Sequence, residues 1–138
     1  MKNHTTNYTN TFITIAEDCP MHAGTKPSPR KVPSVAELQF KMLQNNPYKY
    51  TSDEVLFHVH TLRNDISETE LSAEEQKFFS KSQACFRASP LPKKYGWGVH
   101  FDEEGKMALY GPESTKYKEL IKDPNLKVLK AMRSRKAS

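Results

Sequence analysis

The chain has 138 residues, 36% apolar and 27% charged, with a mean hydropathy of −0.76. That length provides for a single domain with one hydrophobic core, and seven Phe, six Tyr and one Trp argue against global disorder. No run of eighteen apolar residues is present to span a bilayer, and the polar first ten residues lack the apolar stretch of a secretory signal, so a cytoplasmic protein is expected.

The net charge of +5 is unevenly placed. Lys116 to Ser138 holds eight Lys or Arg against two acids, a net of +6, and the first 115 residues come to −1. Cys19 and Cys85 lie far apart with no CxxC, which predicts separate reduced thiols rather than a zinc site or a disulfide. Asn3-His4-Thr5 and Asn7-Tyr8-Thr9 match the glycosylation sequon, a pattern short enough to arise by chance where no secretory route is signalled.

Residues 1–7 are expected to be a flexible end. Tyr8 to Ala16 is rich in β-branched and aromatic types, with Thr11, Ile13 and Ile15 alternating against Phe12 and Thr14, which predicts a first strand. Residues 17–33 carry four prolines and a glycine and read as an ordered surface loop. Ser34 then caps a helix with Val35, Leu38 and Met42 on one stripe and Leu43 at its flank, ended by Asn45-Asn46-Pro47.

Thr51-Ser52-Asp53-Glu54 is a capped, acidic helix start leading into Val55, Val59 and Leu62 at helical spacing, although Val, Phe and Thr over 55–62 also suit a strand. A short helix is expected from Leu71 to about Lys81, carrying Phe78 and Phe79. Ala84 to Ser89 reads as a short strand, Ser89 to Pro92 as a rigid extended connection, and Trp97–Asp102 with Lys106–Tyr110 as a hairpin turning at Gly105. Thr115 to Lys122 is a further helix, and Pro124 opens a last helical turn or two through Met132 with Leu126 and Leu129 inward; 133–138 is expected to be a flexible end. The expected class is α+β: a small antiparallel sheet of three to five strands packed with three to five helices.

If Cys85–Ser89 and Trp97–Tyr110 are neighbouring strands, Arg87, Ser89 and His100 share one polar face. Lys93, Tyr95 and Trp97 then stand beside it, a set that suits a carboxylate or phosphate. The competing reading puts Trp97, Val99 and Phe101 in the core and leaves the opposite face to water. Gly96 and Gly98 permit close ligand approach or mark bulges. Cys85 as nucleophile with His100 as base is a second possibility, against a buried Cys85 acting as a small hydrophobe. His58 and His60 could share a metal on a strand but diverge on a helix, so no metal or other cofactor is expected. Lys127, Lys130, Arg133, Arg135 and Lys136 could meet nucleic acid phosphate, or simply form a solvated basic terminus.

The segments NPYKYTSDEVLFHVH, FFSKSQACFRASPLPKKYGWGVHFDEEGKMALYG and LKAMRSRK resemble a family of uncharacterised, mostly bacterial proteins classed as a domain of unknown function. The resemblance covers nearly the whole chain and implies a stand-alone domain. It brings no activity, cofactor, partner or catalytic residue. The residues themselves point to a binding domain for a small anionic ligand or an acidic protein, with a His100 or Cys85 enzyme and nucleic-acid association through the basic tail as alternatives.

Overall fold

In the computed structural model, which describes residues 4–134, the β-rich segment near the N-terminus forms strand β1 (Thr11–Thr14) at the middle of a four-stranded sheet. β1 pairs antiparallel with β2 (Gly98–Phe101), which pairs antiparallel with β3 (Met107–Tyr110) across the turn at Gly105. Gly105 sits at φ +81°, and Asp102 Oδ1 accepts the N–H groups of Glu104 and Lys106 to close the turn. The fourth strand, β4 (Lys127–Lys130), lies parallel to β1, so the order is β3-β2-β1-β4 and the sheet is mixed rather than antiparallel.

β4 replaces the helical turn expected from Pro124 to Met132. The preceding helix stops at Lys122, because Asp123 before Pro124 is held in extended backbone at ψ 115°. The open edge of β1 then captures the chain: the Lys127 amide donates to the Asn10 carbonyl and the Ala131 amide to that of Thr14. The period-three spacing of Leu126 and Leu129 cannot report this long-range pairing.

Strand alternation divides the sheet. Ile13, Val99, Phe101, Met107 and Leu109 point to one face and join the main core, whereas Phe12, Gly98, His100, Ala108 and Tyr110 point to the other. Onto the first face pack α1 (Val35–Asn45), α2 (Ser52–Arg63) and α4 (Pro90–Lys94), contributing Ala36, Phe40, Leu43, Val55, Val59 and Leu91. Helix α1 is capped by Ser34 as expected, but it turns Ala36, Gln39, Phe40 and Leu43 fully inward and leaves Val35, Leu38 and Met42 on the flank of the core. The bulk of Phe40 with Leu43 sets this rotation. A complete capping box between Thr51 and Glu54 makes 55–62 helical; Val55 and Val59 are buried and Leu62 is 53% exposed.

A 3-10 turn at Glu68–Glu70 leads into α3 (Leu71–Phe79), of which Phe79 alone is buried. The strand expected at 84–89 is not formed. Phe86–Ala88 is a 3-10 turn and α4 follows at once, so Cys85–Ser89 and the hairpin are not neighbouring extended segments. Ser89 is the N-cap of α4, its Oγ accepting the Leu91 amide, and Pro90 stands at the first helical position, where a missing N–H costs nothing. Ser-Pro-Leu-Pro therefore starts a helix rather than a rigid extension.

The opposite face of the sheet is covered in part by α5 (Thr115–Lys122), capped by Ser114, whose Tyr117 and Leu120 pack on Phe12. The Tyr117 hydroxyl accepts the Ile15 amide and pins this helix to the end of β1. At the N-terminus, Thr5 to Asn7 are tied down rather than loose. Asp53, 1% exposed at the start of α2, accepts from Thr5 Oγ1, Thr6 N and Thr6 Oγ1, and its own amide donates to Asn7 Oδ1. Arg135 and Lys136 lie outside the described residues; within them, no helix is long and apolar enough to cross a membrane.

Candidate functional site

The polar residues grouped by sequence reasoning are mostly engaged by the protein itself. Arg87 Nε donates to the Lys130 carbonyl at 2.8 Å and the Arg87 carbonyl accepts the Met132 amide at 2.7 Å, so this residue clamps the outer edge of β4. Ser89 is 5% exposed and donates to Gln39 Oε1 at 2.7 Å. The Tyr95 carbonyl accepts both the amide and the hydroxyl of Thr25, and Trp97 returns a bond from its indole N–H to the Thr25 carbonyl at 2.8 Å. Trp97 also packs against Phe40, with Gly24 beneath its ring. Lys93 is half-buried in the last turn of α4; its amide donates to the Ser89 carbonyl, and its side chain has no hydrogen bond or ion pair to another described residue.

The two glycines flanking Trp97 do admit close approach, but to the chain's own parts. Gly96 (φ +80°) leaves room for the Ala23 carbonyl, and a Cβ at Gly98 would meet the rings of Tyr117 and Phe12 at 2.6 and 2.7 Å. The segment Tyr95-Gly96-Trp97 is thus a clasp for the Pro-rich loop over 17–33. Cys85 bonds to the Tyr8 hydroxyl at 3.2 Å, and the Tyr8 ring packs on Phe101. Phe101 and His100 are successive strand residues facing opposite ways, so Cys85 and His100 are not brought together.

What the structure does assemble lies around His100, on the face shared with α5. Across the β2–β3 ladder His100 stands opposite Ala108, whose small side chain leaves the imidazole room, and Tyr110 lies on the same face opposite Gly98. The third member, Tyr48, comes from the connection between α1 and α2. Its amide donates to the Met107 carbonyl and the Met107 amide to the Tyr50 carbonyl, so residues 48–50 run along the open edge of β3. Tyr48 holds φ +59°, an unfavourable conformation for an aromatic residue by about 1–2 kcal/mol, and this turn throws its ring over the sheet. The Tyr48 hydroxyl lies 2.7 Å from His100 Nδ1 and 2.9 Å from the Tyr110 hydroxyl, with the Tyr48 and His100 rings edge to face.

Burial lowers the His100 pKa below the ordinary 6.5, the Lys116 ammonium adds to the effect, and Asp102 and Asp123 oppose it. Burial, aided by the Tyr110 hydrogen bond, raises the Tyr48 phenol well above its usual range and keeps its proton on. The chain of three groups accordingly has two polarities. Either Tyr110 donates to Tyr48 and Tyr48 to Nδ1, leaving an Nε2–H donor, or Nδ1–H donates to Tyr48 and Tyr48 to Tyr110, leaving a basic Nε2. Nε2 has no hydrogen-bond partner among the described residues.

His100 and Tyr110 share a face by strand alternation alone, so their pairing is legible from the hairpin. Nothing in the sequence marks Tyr48, 52 residues before His100 and placed only by its backbone pairing with β3. His58 and His60 diverge on α2. His60 Nε2 meets Glu74 Oε2 at 2.8 Å, a contact that lowers the Glu74 carboxyl pKa, and exposed His58 lines a different cleft. Lys130 pairs with Glu17 at 3.2 Å on the outside of the sheet.

These features define a single α+β domain with a polar constellation on the less covered face of a mixed four-stranded sheet. The chain belongs to the family of unknown function DUF6157, whose family model matches residues 3–137. Among curated proteins and solved structures, none matches it.

Proposed function

We propose that this protein is a cytoplasmic binding domain for a small anionic ligand, held on the sheet face at His100 with Lys116 beside it. The observation that carries the reading is the Tyr110–Tyr48–His100 chain, which fixes the imidazole through Nδ1 and leaves Nε2 to meet a ligand. The Lys116 ammonium acts on the imidazole and supports an anion there. Asp102 is turned to the hairpin, its Oδ1 accepting two backbone amides there.

The test is an NMR titration with inorganic phosphate, then acetate, near pH 6. Saturable shifts of the His100 ring and the Ala108 and Tyr110 amides are expected, weaker in Lys116→Ala. Shifts confined to other parts of the chain, or none at millimolar phosphate, would refute the reading. Affinity should rise on acidification, because an anion favours the imidazolium that burial otherwise disfavours.

A second reading has one specific observation behind it. A neutral imidazole oriented at Nδ1 by a protonated tyrosine is the arrangement of a general base, with Nε2 as the proton acceptor. Catalysis through it would fall on an acid limb set by His100 and vanish in His100→Gln.

A further inference from the structure

A cavity lies away from the sheet-face site. It is a cleft of about 570 Å³ between α2 and the arm formed by the Glu68–Glu70 turn with α3. It is bounded by α3, which buries only Phe79 and meets α2 at Phe57, and by the turn of the chain at Asp65, φ +52°, where the Ile66 amide returns to the Thr61 carbonyl and Ile66 walls one side. Tyr50, Phe57, Ile66, Leu71 and Phe79 give the cleft an apolar lining. Its volume is in the range that encloses a small molecule.

The charges that line the cleft are carboxylates, and the Lys49 ammonium stands 5.3 Å from the Tyr50 ring centroid at its edge. Glu54, Glu68 and Glu75 line the cleft with His58 beside them, and no Lys or Arg lines it among the described residues, in a chain whose net charge is +5. One Glu54 oxygen is taken by the Thr51 amide, whereas the Glu68 and Glu75 carboxylates have no partner among the described residues. Asp53, at the same cleft, is occupied by the N-terminal threonines. An apolar cleft rimmed by carboxylates, with Phe57 offering a ring face, complements one ligand chemistry: a protonated amine on an apolar body.

We infer that this cleft is a binding site for a small organic cation with an aromatic or aliphatic body, separate from the anion site at His100. Glu68 and Glu75 hold the ammonium and the lining takes the apolar part.

The experiment is a chemical-shift titration of the full chain with 2-phenylethylamine, run beside its neutral and anionic counterparts, 2-phenylethanol and 3-phenylpropionate. The amine should give saturable shifts at Tyr50, Phe57, Ile66 and Leu71 with none at His100, and 3-phenylpropionate should leave those signals in place. The exposed double substitution Glu68→Gln with Glu75→Gln should weaken the amine about fivefold or more, as should raised salt. Equal response to amine and acid, no loss in the double variant, or no saturable shift at millimolar amine would each overturn the assignment. So would capture of a basic amphipathic peptide without any response to the amine, or cleft shifts that depend only on protein concentration, as a second copy would give.

Discussion

Replacing Gly96 with Ala tests whether the Tyr95-Gly96-Trp97 segment is a clasp for the Pro-rich loop. Two effects add. An alanine held at φ +80° is strained by about 1–2 kcal/mol, and its Cβ would overlap the Ala23 carbonyl, so residues 23–25 must move. That movement loosens three hydrogen bonds, two from Thr25 to the Tyr95 carbonyl and one from the Trp97 indole to Thr25, at roughly 1 kcal/mol each. The sum is about 4–5 kcal/mol. Gly105→Ala provides the reference, since Gly105 has almost the same φ of +81° but only a marginal 3.0 Å approach to the Tyr8 carbonyl, so about 1–2 kcal/mol is expected there. Urea unfolding measures both, and the single Trp, lying in the clasp, reports the site by a red-shifted emission in Gly96→Ala alone. Equal losses of stability in the two variants, with emission unchanged, would refute the clasp.

Asp53→Ala removes a buried carboxylate that accepts three hydrogen bonds from Thr5 and Thr6, so a loss of about 3 kcal/mol or more is expected, together with faster amide exchange at Thr6. Ser89→Ala leaves the Leu91 amide without its cap and Gln39 Oε1 without its donor inside the core, which should lower stability by about 1–2 kcal/mol in thermal unfolding. Tyr8 is raised to about 12, first by burial and then by its bond to Cys85, so its phenol should ionise only near pH 12 in an absorbance titration. Its contribution to stability is full below pH 10 and is lost as pH rises from 10 through about 12; Tyr8→Phe should flatten that alkaline loss. For His100 the sign is opposite. With the folded pKa below 6.5, stability falls on acidification through the window beneath that value, and His100→Gln should remove this slope in urea unfolding between pH 7 and 5.

The elements legible in the sequence are those whose signals are local. Ser34 and the Thr51–Glu54 pair mark helix starts by a hydrogen bond across three residues, and Gly105 marks the hairpin by the φ it must adopt. The failures have equally specific causes. At Ser89-Pro90-Leu91-Pro92 the prolines read as helix breakers, yet in the first turn they lose no bond and the segment closes into α4. At Lys127–Lys130 the leucine spacing reads as helix, and the open edge of β1 decides otherwise.

The same division applies to the site. Arg87, Ser89, Tyr95 and Trp97 have side chains suited to ligands, but their hydrogen bonds hold β4, cap α4 and fasten the loop. His100 faces the predicted side of its strand with Tyr110, and Tyr48 arrives through tertiary pairing that no spacing encodes.

The most direct measurement is ¹⁵N NMR of the His100 ring across pH 4–8, with and without phosphate. A ring neutral at pH 7, protonating below 6.5, with Nδ1 perturbed by Tyr48→Phe and Nε2 moved by phosphate, is the expected result. A ring that titrates at or above 6.5, indifferent to both the substitution and the anion, would contradict a ligand site fixed through Tyr48.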